Sequence, residues 1–193
     1  MGVREENRER VEAAIRAAAR EQIRTVGGGA LSMRAIARDV GLVSSAIYRY
    51  FPTREALLTA LIIESYGSLG DALETVRGEG ADRWRDAAVA LRGWATERPH
   101  EFQLIYGTPI PGYAAPPETI PLAGRVAEPF FAAAGIETAD QPDAAGVLAA
   151  LAELIGLLTL EFGGHFAGVT DPAELYAYAV ERQAGELPRE LSA

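Results

Sequence analysis

Apolar residues in this chain recur at intervals of three and four, and no stretch alternates convincingly between apolar and polar. The first stripe is Val11, Ile15, Ala18, Ala19, Gln22, Ile23 and Val26, with arginine and glutamate between them. Gly27–Gly29 stop that helix. Ser32 then reads as the N-cap of a short helix from Met33 to Asp39, which Gly41 breaks. A third short helix is expected from about Ser44 or Ser45 to Tyr50. Pro52 ends it, and Thr53 caps a fourth. The fourth is long, with Leu57, Leu58, Leu61, Ile62, Tyr66, Leu69 and Leu73 at helical spacing.

After Gly78–Asp82 the pattern resumes through WRDAAVALRGWATE, and Pro99 opens a short helix, PHEFQLIY. Residues 107–121 hold five prolines and two glycines, which predicts an ordered loop rather than regular structure. Helices are expected near Leu122–Ala134, from about Pro142 to Phe166, and from Asp171-Pro172 to near Gly185-Glu186. The pattern therefore predicts an all-α fold of about nine helices with no sheet.

Composition narrows the class. The chain has 193 residues, 49% of them hydrophobic and 23% charged, as in an ordinary globular protein. It contains no cysteine, which excludes disulfides and thiolate metal sites. The opening MGVREENRERVE is charged from the start and has no apolar signal core, so the expected location is the cytoplasm. Ala144–Leu160 is apolar over a length at the lower limit for a membrane span. Glu153 near its middle would be costly in lipid, so a buried helix of a soluble protein is expected and no membrane is involved.

The formal net charge of −9 is unevenly distributed. Residues 1–60 carry ten arginines against seven acids, while the remainder carries an excess of twelve acids. The asymmetry suggests a small N-terminal part that meets something anionic and a larger acidic part that does not.

The segment 37–51, ARDVGLVSSAIYRYF, supplies the chemistry. Ala37, Gly41 and Ile47 have the spacing and sizes of a helix-turn-helix. Ala37 is small where the third helix crosses, and Gly41 suits a left-handed turn. Ile36, Val40, Leu42 and Ile47 would form the wedge between the helices. On the third helix, Ser44, Ser45, Tyr48 and Arg49 fall on one side, while Ala46, Ile47, Tyr50 and Phe51 fall nearer the other. The first side offers hydroxyls, a phenol and a guanidinium and no acid, which suits a helix entering a DNA major groove.

The run LSMRAIARDVGLVSSAIYRYFPTREALLTALI resembles the DNA-binding region of TetR/AcrR-type transcriptional regulators, and its IYRYFPTREALL portion is specific to that family. The resemblance covers residues 8–63. It implies a homodimeric repressor: a helix-turn-helix DNA-binding head, 1–54, and a helical ligand-binding and dimerisation domain, 55–193. It further implies that Ser32 and Arg34 touch phosphates and that Ser44, Ser45, Tyr48 and Arg49 face bases or phosphates. Tyr50, where the family more often has His, would reach a phosphate. Arg54 stands where the family usually has a Lys that contacts the DNA backbone.

RGWATERPHEFQLIYGTPIPGYAAP resembles a second feature, the WHG-type effector domain of one subset of that family, over about residues 82–185. It rests on Trp94, His100, Gly107 and the Pro-Gly-Tyr that follows. It implies a pocket for a small effector, for which Tyr66, Trp94, Phe102, Tyr106, Phe130 and Phe162 are the candidates. Each of these rings, taken alone, also fits plain core packing.

His165 lies four after Glu161, a pair that supplies only two metal ligands, so neither a metal nor any other cofactor is expected. No nucleophile elbow or phosphate loop occurs, so no enzyme is expected. The helix from 142 to 166 is apolar on nearly all sides and carries small residues. With the helix at 171–183 it is expected to form a two-fold dimer interface. The resulting expectation is a regulator, cytoplasmic and nucleoid-associated when DNA-bound, released from a near-palindromic operator by a small apolar effector. A carrier or enzyme with a vestigial DNA-binding head is the alternative. A constitutive architectural DNA binder fits the acidic total charge poorly.

Overall fold

The computed structural model describes residues 2–187, and among these every regular element is helical. Eight α-helices are present: α1 Val3–Val26, α2 Met33–Asp39, α3 Arg54–Leu73, α4 Gly80–Glu97, α5 Pro99–Tyr106, α6 Ile120–Ala133, α7 Ala144–Phe162 and α8 Pro172–Glu186. Three single 3-10 turns, Gly28–Ala30, Ile47–Arg49 and Pro117–Thr119, lie between them.

The start signals work through local hydrogen bonds. Ser32 Oγ accepts from the Ala35 amide at 3.3 Å, Thr53 Oγ1 from Ala56 at 3.0 Å, and Asp171 Oδ1 from Ala173 at 2.8 Å. The stop signals are equally local. Gly41 takes a φ of +72° where the chain turns out of α2. At Gly107, which closes α5, a side chain would collide with the Gln103 carbonyl.

One expected helix is curtailed. In place of a helix from Ser44 or Ser45 to Tyr50 there is a run of turns around the 3-10 segment Ile47–Arg49. Val43 O accepts from Ala46, and Ala46 O from Arg49; only at Ile47, which accepts from Phe51, does an i to i+4 bond close. No side chain caps the segment, and Pro52 keeps Phe51 out of the helical region, so the run is too short to nucleate a regular helix. The long apolar helix also ends early, at Phe162, because Gly163 and Gly164 follow and Gly164 is left-handed, with φ +73°.

The chain forms two compact units. One comprises the chain up to Ser65 together with Thr108–Thr119. The other comprises Tyr66–Gly107 and the described residues from Ile120 on. The division falls inside α3, beyond the expected position at 54/55, and the proline-rich loop belongs with the N-terminal unit. In that unit Ile15, Ala19 and Ile23 of α1 are buried at helical spacing, as are Ile36 and Ala37 of α2. Ile47 is fully buried while Val40 and Leu42 are half-buried, so Ile36 and Ile47 carry the centre of the wedge. Arg16 and Arg20 of α1 both pair with Glu64 of α3, Arg16 at 2.6 Å.

The loop is fastened within this unit. Thr59 Oγ1 and Tyr113 Oη are 3.0 Å apart in a hydrogen bond, Thr119 is buried, and its hydroxyl donates to Pro116 O.

In the second unit α4 buries Trp84, Ala87, Ala88, Leu91, Trp94 and Ala95 on one stripe. It packs on α6 and α8, and α7 packs on α6 and α8. Arg92 holds Glu161 across α4 and α7, and Arg182 of α8 holds Glu153 of α7.

Candidate nucleic-acid interface

The segment that follows α2 presents the expected chemistry to solvent. Ser44, Ser45, Tyr48 and Arg49 are all exposed, while Ile47 and Phe51 are buried and Ala46 and Tyr50 are half-buried. The pattern arises because Ile47 and Phe51 are drawn into the core one turn apart, which leaves Ser44, Ser45, Tyr48 and Arg49 outward. Ser32 and Arg34, in the first turn of α2, are exposed as well. Ser32 has its amide held by Gln22 Oε1 at 2.7 Å, so its position is fixed from α1.

Internal pairing sorts the arginines. Arg8 pairs with Glu12, Arg16 and Arg20 with Glu64, and Arg24 with Glu21. Arg34 and Arg49 form no ion pair among the described residues, and both lie in the expected interface. A guanidinium already matched to a carboxylate has little field left for a phosphate; Arg4 and Arg10 of α1 are likewise without a carboxylate, Arg10 bonding only Asn7 Oδ1, so it is their place beside Ser32, Ser44, Ser45 and Tyr48 that sets Arg34 and Arg49 apart.

Two of the expected residues are engaged within the protein. Tyr50 lies beneath the Arg8 guanidinium, 5.9 Å from its ring centroid. Arg54 is turned onto the backbone: its Nε donates to Leu31 O at 3.1 Å, and its Nη2 to Gly28 O at 2.8 Å and Gly29 O at 3.0 Å. This fork clamps the turn between α1 and α2 to the start of α3. A phosphate contact from Arg54 would compete with those carbonyls.

Sequence reasoning passed over Val43, which is 71% exposed beside Ser44. An exposed valine there offers a surface for a thymine methyl, but a single apolar residue in a turn carries no sequence signal.

The six effector-site candidates pack largely on one another or on neighbouring core. Phe102 lies 5.2 Å from Tyr106 and 5.3 Å from Phe162, and Tyr106 lies 5.9 Å edge-on from Tyr66. Phe130 packs edge-on against Trp84, and Trp94 Nε1 donates to Ser68 Oγ at 3.0 Å. Burial pushes the Tyr66 and Tyr106 phenols above the ordinary tyrosine range; for Tyr106 the neighbouring Tyr66 adds to it. Two clefts of this unit, one by the first turns of α7 and one between α4 and α8, are lined by none of the six. Glu161, the expected partner of His165 on α7, is bound to Arg92 at 2.9 Å, and His165 is exposed.

Comparison with known proteins places this architecture. Residues 15–61 match the family described as bacterial regulatory proteins, tetR family, and residues 84–183 match the tetracyclin repressor-like, C-terminal domain. Over 148 residues, 72% of this chain, the sequence is 45% identical to the HTH-type transcriptional regulators Rv1816 of Mycobacterium tuberculosis and Mb1846 of Mycobacterium bovis. The match spans 63% of the length of those curated relatives. The crystal structure of a protein described as regulatory, SCO4313, is 34% identical and superposes with a TM-score of 0.81 over 95% of this chain and 100% of its own. A regulatory protein in the tetR family from Rhodococcus RHA1, 21% identical, shares the fold with a TM-score of 0.68 over 92% of this chain and 96% of its own. With one family match over the head, another over more than half of the chain, and a full-length structural relative above 30% identity, the chain belongs to the TetR family of bacterial regulatory proteins.

Proposed function

We propose that the chain is a DNA-binding transcriptional regulator that works as a homodimer, represses from a near-palindromic operator, and is released by a small apolar effector. The observation that carries the reading is the acid-free exposed face Ser44, Ser45, Tyr48 and Arg49, with Arg34 and Arg49 kept out of internal ion pairs. Serine hydroxyls allow close approach, Tyr48 and Arg49 supply base or phosphate donors, and Ser32, Arg34 and Tyr50 add contacts to the DNA backbone. Arg54 acts indirectly by holding the turn that carries Ser32. A protein whose partner is chromosomal DNA works in the cytoplasm, at the nucleoid.

The dimer reading rests on α7. Both α3 and α7 are long and apolar enough to cross a membrane, yet only 22% of the most apolar window of α7 is buried within the protomer. Ala145, Ala149, Ala152 and Gly156 lie on its exposed side, with Leu160 at its end. Small residues allow a second copy to approach closely, and α8 flanks them. Two heads in one dimer would read half-sites about one helical turn apart, near 34–36 Å. An effector that prefers one arrangement of the dimer shifts the population away from the DNA-bound form.

The test is selection of bound duplexes from a random pool at a fixed salt concentration. A two-fold related pair of half-sites is expected. Tyr48→Ala and Arg49→Ala should abolish its capture while the protein stays folded and dimeric. Capture of the same sequence at parental affinity by both variants would overturn the face assignment.

A further inference from the structure

The larger unit contains a cleft of about 350 Å3 where the first turns of α7 face the last turn of α8. Its volume is at the lower end of the range for small-ligand sites. Trp84, Ile136 and Val147 give it apolar walls, and Asp143, Gln183 and Glu186 are the polar side chains that line it beside the indole N–H. None of the six aromatic effector candidates takes part.

Internal bonds consume the side-chain donors of this cleft. Trp84 Nε1 donates to Gln183 Oε1 at 3.2 Å. Gln183 Nε2 donates to Ala150 O at 3.0 Å and to Glu153 Oε2 at 2.8 Å, which uses both of its hydrogens. What its side chains offer a visitor is acceptors alone: the Asp143 carboxylate, which no side chain pairs among the described residues, the capacity Glu186 keeps beside Arg182, which already bonds both of its oxygens, and a remaining lone pair on Gln183. The nearby cation, Arg182, does not line the cleft. It is held by Glu186 at 3.2 Å and by Glu153, so the local balance stays acidic. We infer that this cleft binds a protonated amine with an aromatic or branched apolar body. The ammonium is held at the Asp143 and Glu186 rim, and the body lies against Trp84 and Val147. An anion would face two carboxylates with no side-chain donor to meet it.

Gly146 provides a clean block. It lines the cleft, and a Cβ built on it meets nothing within 4 Å. Gly146→Leu therefore fills the space without crowding α7, and it replaces a poor helix former by a good one. The experiment is calorimetric titration of the full-length protein, without DNA, with 2-phenylethylammonium, 2-phenylethanol and phenylacetate. Because no DNA is present, the result stands apart from the DNA-binding reading. The ammonium is expected to bind at least about fivefold more tightly than the alcohol, the scale of one partly exposed charge contact, and phenylacetate not measurably. Gly146→Leu, with unchanged circular dichroism, should lose the amine. The double variant Asp143→Asn, Glu186→Gln should bring amine and alcohol to similar affinity. Amine binding that survives Gly146→Leu, phenylacetate binding as tight as the amine, or no amine binding at concentrations of about 10 mM would overturn the inference.

Discussion

Replacing Arg54 separates two roles that a guanidinium can play at the start of α3. Three hydrogen bonds run from its fork to the carbonyls of Leu31, Gly28 and Gly29. A neutral hydrogen bond nets on the order of 1 kcal/mol, and a charged donor strengthens it. The side chain is 24% exposed, which reduces the gain. Arg54→Ala should therefore cost the head about 2 kcal/mol, since the freed carbonyls lie at a turn and recover some bonds from water. Arg54→Lys keeps the charge but loses the planar fork, and a point-like ammonium cannot reach all three oxygens, so about 1 kcal/mol should still be lost. Amide hydrogen exchange over the head reads this directly, because it reports local opening without requiring the two units to unfold together. The second readout is the salt dependence of operator binding. If Arg54 neutralised a phosphate, its removal would flatten the slope of log K against log salt by about 0.9 per head. Removing a clamp leaves that slope alone and weakens binding equally at all salt concentrations. Unchanged head exchange together with a flatter slope in Arg54→Ala would refute the clamp and return Arg54 to the DNA backbone.

Two further outcomes are expected. Burial raises the phenols of Tyr66, Tyr106 and Tyr176 above their ordinary value, so these groups favour the folded state while neutral. That contribution is complete below pH 10.0 and declines as the pH rises past it; phenolate absorbance should show these three ionising late, with stability falling as they do, and ionisation near 10.0 in the folded protein would contradict it. On the exposed side of α7, a Cβ on Gly156 meets nothing within 4 Å in the protomer, so Gly156→Arg should leave the fold intact and convert the dimer to monomer by light scattering; a variant that remains dimeric would place the interface elsewhere.

What is legible in the sequence is what depends on near neighbours. The caps at Ser32, Thr53 and Asp171 bond amides two or three residues away, and Gly41 announces a left-handed turn by having no Cβ; Gly164, equally left-handed, is less legible, because the apolar pattern runs on past it to Phe166. The outward placement of Ser44, Ser45, Tyr48 and Arg49 follows from the need to bury Ile47. The length of that third helix is less legible, because side-chain spacing does not show how strongly Pro52 acts on so short a run. The Arg54 clamp is not legible at all: its partners are carbonyls at Gly28, Gly29 and Leu31, and a carbonyl has no letter in a sequence. The same holds for the division of the aromatic residues. Phe102 and Phe162 lie far apart in the chain, and only the packing of α5 on α7 brings their rings to 5.3 Å. The acceptor-only cleft likewise depends on Trp84 meeting Gln183 across the bundle.

The loop Thr108–Thr119, fastened through Tyr113 and Thr59, makes the N-terminal unit discontinuous in sequence. Heads cannot be exchanged between relatives by a single crossover in α3. Such a hybrid would keep Thr59 from one parent and take its loop from the other, leaving a foreign surface against the grafted head. Two crossovers that carry the loop along are the minimal graft. For the same reason, residues on either side of the Thr59–Tyr113 bond should change together over evolutionary time, although they lie 54 positions apart. In heredity as in packing, the N-terminal unit is written in two places.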